Sequence, residues 1–203
     1  MRMKLIPLIA SLLALPIAAC AQTTQPDKPF VMGEAKLPAG FPAPGKVDEI
    51  VIKNYPAYRA ARVSSDAGQN RMFNTLFNHI QSNDIKMTAP VEMTYEADEK
   101  TPATQPAAMS FLYAEPTLGQ PGKTGDVDVI DLPAASYVSI GVRGSYTPER
   151  FAESLKKLHD WLSVNPTYTV AGSPRYLGYN SPFVPPPMRY GEVQIQVKAV
   201  EQK

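Results

Sequence analysis

The side chains best suited to metal binding or nucleophilic chemistry are few: one cysteine, Cys20, and two histidines, His79 and His159. A lone cysteine excludes a disulfide framework within the chain and a Cys-based metal site. The histidines are far apart, outside His-x-x-x-His spacing, and neither stands near a Ser or Asp in a pattern typical of hydrolases. There is no glycine-rich phosphate loop. No motif supports catalysis, so the chain reads as a non-enzymatic protein.

Cys20 is placed for a different chemistry. Met1, Arg2, Met3 and Lys4 form a short positive region, an apolar run covers residues 5–19, and the run closes on Ile17-Ala18-Ala19-Cys20. That is the layout of a secretory signal ending in a lipobox. Pro7 and Pro16 interrupt the run, which is shorter than the roughly 20 apolar residues that span a bilayer as a helix. Residues 1–19 are therefore expected to be a lipoprotein signal peptide and Cys20 the lipidation site. Acyl chains there contribute about 0.8 kcal/mol per buried CH₂. The expectation is a lipid-anchored protein on the periplasmic face of the cell envelope. Ala21 follows the cysteine, which favours the outer membrane mildly over the inner.

The formal net charge of +1 offers no electrostatic footprint for nucleic acid. Most of the 21 prolines fall in a few segments, which marks linkers and loops. Residues 20–46, rich in Pro, Gly, Thr and Gln, read as a flexible tether, and residues 47–203 as one domain. Within it, two strands are expected over residues 50–63 around a turn at Asn54, Tyr55 and Pro56. A helix over residues 69–81 follows, its Phe73, Leu76, Phe77 and Ile80 spaced as one buried face. Strands at residues 91–95 and 109–114 flank a Pro/Thr/Ala/acidic loop over residues 96–108. The second half repeats the order, with strands at 127–132 and 136–142, a helix over 148–163 packing Phe151, Leu155, Leu158 and Leu162, and strands at 176–180 and 192–197. Pro56 and Pro133 lie 77 residues apart, and Phe73 and Phe151 lie 78 apart. Two β-β-α-β-β units joined into one curved sheet or open barrel follow, an α+β fold with both helices covering apolar faces.

Phe73, Leu76, Ile80, Asn83, Ile85, Met87, Thr88, Ala89, Pro90 and Val91 resemble the signature of the SOUL family of haem-binding proteins, F-x-x-L-x-x-Y-I, a short Asn turn, then I-x-M-T-[AV]-P-V. The opening strand with Tyr55-Pro56-Ala57-Tyr58, the strand end at residues 141–144 and the loop and strand over residues 179–197 are similar to the family as well. The resemblance spans residues 47–197. It implies a fold like the SOUL and GyrI-like group, a distorted open barrel of about eight or nine strands with two helices. The Met87–Val91 block also has a purely structural reading, with Met87 and Val91 toward the core and Thr88 capping or bridging.

The ligand that the resemblance implies is haem or another tetrapyrrole-like hydrophobic molecule, bound non-covalently in an apolar cleft between the first helix and the loop over residues 181–188. Phe73, Phe77 and Phe183 supply aromatic density, with Val184 and Met188 beside the last of them. His79 stands where the family motif usually has Tyr. It is either a haem axial ligand with Met72 near the macrocycle or a half-exposed residue on the helix rim. His159 reads as a surface histidine. Arg71 and Arg189 are the candidates for haem propionates. The rim departs from the family: Met188-Arg189-Tyr190-Gly191-Glu192 stands where Arg-Arg-Asn-Glu is common, after the stiff Pro185-Pro186-Pro187. Two alternatives accompany the binding module: a GyrI-like small-molecule hydrolase using Glu192 or a pocket Tyr, and an envelope interaction scaffold.

The lipobox makes the first prediction. Cys20→Ser abolishes incorporation of labelled fatty acid and leaves an unprocessed or soluble chain; continued acylation and membrane association of that variant would contradict it.

Overall fold

The computed structural model describes residues 35–64, 68–96 and 105–200. The signal segment, Cys20, the tether up to residue 34 and most of the expected loop over residues 96–108 lie outside the described residues. The elements run β1 (Ile50–Tyr55), β2 (Tyr58–Ser64), α1 (Gln69–Ser82), β3 (Val91–Thr94), β4 (Ala108–Leu112), β5 (Gly122–Thr124), β6 (Val127–Leu132), β7 (Ala135–Arg143), α2 (Pro148–Ser163), β8 (Tyr168–Gly178) and β9 (Tyr190–Ala199). They form an α+β fold with one open antiparallel sheet of nine strands, ordered β1-β7-β9-β8-β3-β4-β2-β6-β5.

The order is symmetrical about the β3–β8 pair. In each half the β-β-α-β-β unit gives away its first strand: β1 pairs with β7, and β6 pairs with β2. The expected strand pairs at residues 50–63 and 127–142 are therefore not hairpins. Pro56 and Pro133 sit just after β1 and β6, where a residue without an N–H turns the chain out of one ladder into another. The exchange locks the halves together, since neither completes its sheet without a strand from the other. β8 starts at Tyr168, well before the expected residue 176, with an irregularity between Val170 and Pro174 in its register with β9. Pro174, unable to donate to a ladder, explains why this stretch did not read as strand.

Both helices pack on one face. α1 buries Met72, Leu76 and Ile80, a row of i, i+4 and i+8. The expected face was centred one residue later, on Phe73 and Phe77. Those rings instead stack on each other at 6.1 Å along the flank of the helix, with Phe73 edge-on to Phe111 at 5.0 Å. α2 starts after Thr147, whose side chain accepts from the Arg150 amide, with Pro148 in the first turn. It buries Phe151, Ser154 and Leu158, while Leu155 and Leu162 pack half-buried at the edge of the same core.

Strand alternation divides the sheet. Val193, Ile195, Met93, Tyr176, Val138 and Ile140 join the helix-side core. Their neighbours Glu192, Gln194, Glu92, Arg175, Tyr137 and Ser139 face the other way and are buried too. On this reverse face Arg175 donates to Glu92 at 2.8 Å and to Gln194 at 2.9 Å, while Lys53 donates to Glu192 at 2.5 Å. The Arg175 guanidinium also lies 3.5 Å from the centroid of the Tyr137 ring. What covers this face is residues 35–46, expected as tether: Leu37 and Phe41 pack against its tyrosines. Thr88 of the Met-Thr-Ala-Pro segment bridges by donating to the Leu112 carbonyl at 2.6 Å.

Removing one partner of a buried, hydrogen-bonded ion pair costs about 3–5 kcal/mol. Arg175→Met lowers urea-unfolding stability by that order, and adding Glu92→Leu to it recovers a measurable part; purely additive losses in the double variant would show that the two charges are not coupled.

Candidate functional site

A cleft of about 440 Å³ opens on the helix side of the sheet, between the first turns of α1 and the loop after β8. Its walls and floor are Phe73 on α1, Val91 and Met93 on β3, Met109 on β4, Tyr176 on β8 and Tyr146 before α2, with Asn70, Asn74, Asn180 and Arg189 at the rim. Apolar walls with a few convergent polar groups are the usual make-up of a small-molecule site.

Two glycines create the floor. Gly178 and Gly191 pair across β8 and β9, and a Cβ at Gly191 would come 2.1 Å from the Tyr176 hydroxyl oxygen. Tyr176 thus reaches over a neighbouring strand that has no side chain there. Burial pushes its phenol up to about 12, with Arg189 and Arg150 pulling the other way. It is a neutral hydroxyl at neutral pH. Tyr146 meets Tyr176 edge-on at 5.2 Å and stacks on Tyr95 at 5.9 Å, so the aromatic floor is braced from behind.

The loop over residues 181–188 is pinned by Arg189. Its guanidinium donates to the carbonyls of Val184 at 2.9 Å and Pro182 at 2.7 Å and to the Ser145 hydroxyl at 3.2 Å. Three of the five N–H donors of an arginine are thereby engaged in holding the rim. Tyr190 donates its amide to the Asn180 side chain at 2.6 Å.

The residues singled out in the sequence divide into separate places. Phe73 and Arg189 line the cleft, and Phe77 stacks beside Phe73 at the surface. Met72 lies beneath α1 in the core, and Val184 is the buried anchor of the loop. Phe183 is 91% exposed and Met188 also faces outward; Arg71 and His159 are exposed. His79 is half-buried at the other end of α1, in a second cavity of about 770 Å³. There its Nε2 shares a 3.0 Å hydrogen bond with the Tyr113 hydroxyl. His79 and the cleft are therefore different sites. Sequence reasoning missed Met93, Met109, Tyr146 and Tyr176. The legible trace of them was Gly178 and Gly191, strand glycines of the kind that mark a close approach.

Among the described residues no group of three or more His, Cys, Asp or Glu side chains could hold a metal ion, and no helix is long and apolar enough to cross a membrane. Glu192 is buried on the reverse face. Its Oε1 accepts from Lys53 and from the Gly45 amide at 2.6 Å, and lies 3.0 Å from the Tyr190 hydroxyl, whose one proton is shared with the Gly45 carbonyl; its Oε2 accepts from Tyr179 at 3.1 Å and Gln194 at 2.9 Å.

The sequence pattern of the SOUL heme-binding protein family matches residues 43–196. The chain belongs to this family. Solved structures share the fold of this SOUL-family chain at low identity. The EcmrR C-terminal domain is 16% identical over 75% of this chain and 98% of that one, with a TM-score of 0.59. The longer EcmrR chain in its complex with DNA has the same TM-score, and the match spans 58% of it. A protein from Listeria innocua described as a hydrolase is 11% identical over 77% of this chain and 94% of that one, with a TM-score of 0.53. No curated protein matches the chain.

Two predictions follow from the geometry. Gly191→Ala forces Tyr176 out of its place, costing about 1–3 kcal/mol of stability by overpacking and changing the near-ultraviolet circular dichroism; an unaltered spectrum and stability would contradict the contact. Burial lowers the pKa of His79 below its usual value, so below about pH 6.5 the unfolded chain binds the proton more readily than the folded one. Stability accordingly falls on acidification through that range, and His79→Gln flattens this part of the profile; an unchanged profile would contradict it.

Proposed function

We propose that this chain is a non-catalytic binding module for haem or a similarly flat hydrophobic molecule, held in the cleft between α1 and the loop over residues 181–188. The observation that carries the reading is the cleft itself: Phe73, Val91, Met93, Met109, Tyr146 and Tyr176 line about 440 Å³ in a member of the SOUL heme-binding family. The lining fits such a group. It supplies aromatic and thioether surface for a macrocycle, phenol hydroxyls for polar edges, and at the rim a guanidinium with donors to spare for a carboxylate. It supplies no imidazole, so apolar contact is the main source of affinity and His79 is not an axial ligand.

The saturated Glu192 supports binding over hydrolysis. A carboxylate already contacted by five hydrogen-bonding groups, Lys53 among them, lacks a free position from which to take a substrate proton. With a lipid on Cys20, the module would sit at the periplasmic face of the cell envelope and hold its ligand close to the membrane surface.

Haem titration of the full chain tests this reading. Saturable binding is expected at micromolar concentration. Phe73→Asp weakens it about ten- to a hundredfold, matching the roughly 1.5–3 kcal/mol of burying one such ring, while His79→Ala leaves affinity and the Soret band unchanged. Absence of saturable binding, or loss on His79→Ala with Phe73→Asp silent, would overturn it.

A further inference from the structure

The reverse face of the sheet carries an arrangement that ligand binding in the helix-side cleft does not use. Residues 36–46 cross it as a strap that turns at Ala39-Gly40, where the Phe41 amide donates to the Pro38 carbonyl at 3.2 Å, and runs on through Pro42, Pro44 and Gly45 without helix or strand. The strap is held largely through its main chain. The Gly45 amide donates to Glu192, Lys53 donates to the Ala43 carbonyl at 2.8 Å, and Tyr190 donates to the Gly45 carbonyl at 2.6 Å. The Ala39 amide donates to the Ala114 carbonyl at 2.9 Å. One side chain is read closely: the Phe41 ring sits edge-on to Tyr55 at 5.0 Å and to Tyr58 at 5.1 Å. Main-chain hydrogen bonds combined with an aromatic groove for a proline-rich segment form a recurring mode of peptide recognition, in which the preformed extended backbone lowers the entropy cost of binding.

The floor under the strap is built from residues of the sheet and its loops. Of the five groups around Glu192, Lys53, Tyr179, Tyr190 and Gln194 come from the sheet and its loops, and the Gly45 amide from the strap. Among the described residues, the hydrogen bonds of Arg175, Glu92 and Gln194 run to one another and to other sheet residues. Lifting the strap would expose a floor whose ion pairs are already assembled, with one Arg175 nitrogen, the Lys53 ammonium and the Tyr190 hydroxyl open to a new main chain. Leu37 and Phe41 are only partly buried, and the SOUL pattern begins at residue 43, so the aromatic anchor of the strap precedes the family's common region.

We propose that the reverse face is a binding site for an extended peptide of the type Phe-Pro-x-Pro-Gly, filled in cis by residues 37–46 of this chain as a displaceable strap. The same residues from another polypeptide compete for it. The cis strap has the advantage of high effective concentration, so it acts as an inhibitor of its own site. This inference is independent of the haem reading.

The test uses the full chain and a fluorescent peptide spanning residues 35–48. Phe41→Ala weakens the cis strap and leaves every residue of the cleft intact. The labelled peptide is expected to bind this variant saturably and at least tenfold more tightly than wild type, and the same peptide carrying Phe41→Ala is expected to bind neither. Equal binding to both chains, or no binding to a folded variant, would overturn the proposal. Should the variant fail to fold, hydrogen exchange of the wild type decides. Exchange of the Ala39 and Gly45 amides through a local opening, while Val193 stays protected, supports a displaceable strap. Exchange of all three only on global unfolding makes it part of the core and overturns the proposal.

Discussion

The structure depends on charge buried against the back of its own sheet. Glu192 on β9 and Glu92 on β3 are almost fully inaccessible, and each has a buried cation, Lys53 and Arg175. Gln194 links the pairs by accepting from Arg175 and donating to Glu192. Unpaired, any one of these charges would be prohibitively costly to bury. Paired, they specify register, because strand side chains alternate. A one-residue slip of β9 would drive Glu192 into the apolar core beneath α2, which buries Phe151 and Leu158, and turn Val193 and Ile195 onto the charged face.

The same alternation makes the helix-side cleft. With the charges turned away, β3, β4, β8 and β9 present only apolar and aromatic side chains to the helices, and the pseudo-twofold arrangement sets α1 and α2 over opposite halves of the sheet. At the junction the Gly178–Gly191 pair leaves room that Tyr176 takes from one side and a ligand can take from the other. Arg189 fixes the rim by bonding to loop carbonyls, so its principal work is to hold the loop. The far end of α1, where His79 meets Tyr113, belongs to a different cavity.

The α+β class, both helices and the β-β-α-β-β order were legible because hydrophobic periodicity and proline placement are local signals. The exchange of β1 and β6 between halves was not, since pairing partners are non-local and Pro56 looks like an ordinary hairpin turn. The helical stripe was displaced by one residue because Phe73 and Phe77 are more apolar by type than Met72, yet the sheet under α1 accepts the narrower side chain. The loop over residues 181–188 was recognised as a wall of the cleft, but Phe183 was taken for a lining residue when its ring points outward and Val184 is the anchor. The ion pairs left no trace beyond four charged residues in strands. Residues 35–46 read as tether because a proline-rich strap has no period, whatever it packs against.

Ferric haem is paramagnetic, so it broadens nearby nuclei most strongly, and the resonances of protein ¹³C-labelled at methionine, isoleucine and histidine report where it sits. The chain has eight methionines, two of which, Met93 and Met109, line the cleft. On substoichiometric addition of haem, those two signals should broaden first, with the His79 ring protons and the Ile85 methyl groups of the other cavity less affected. Broadening centred on His79 and Ile85, with Met93 and Met109 spared, would contradict the account.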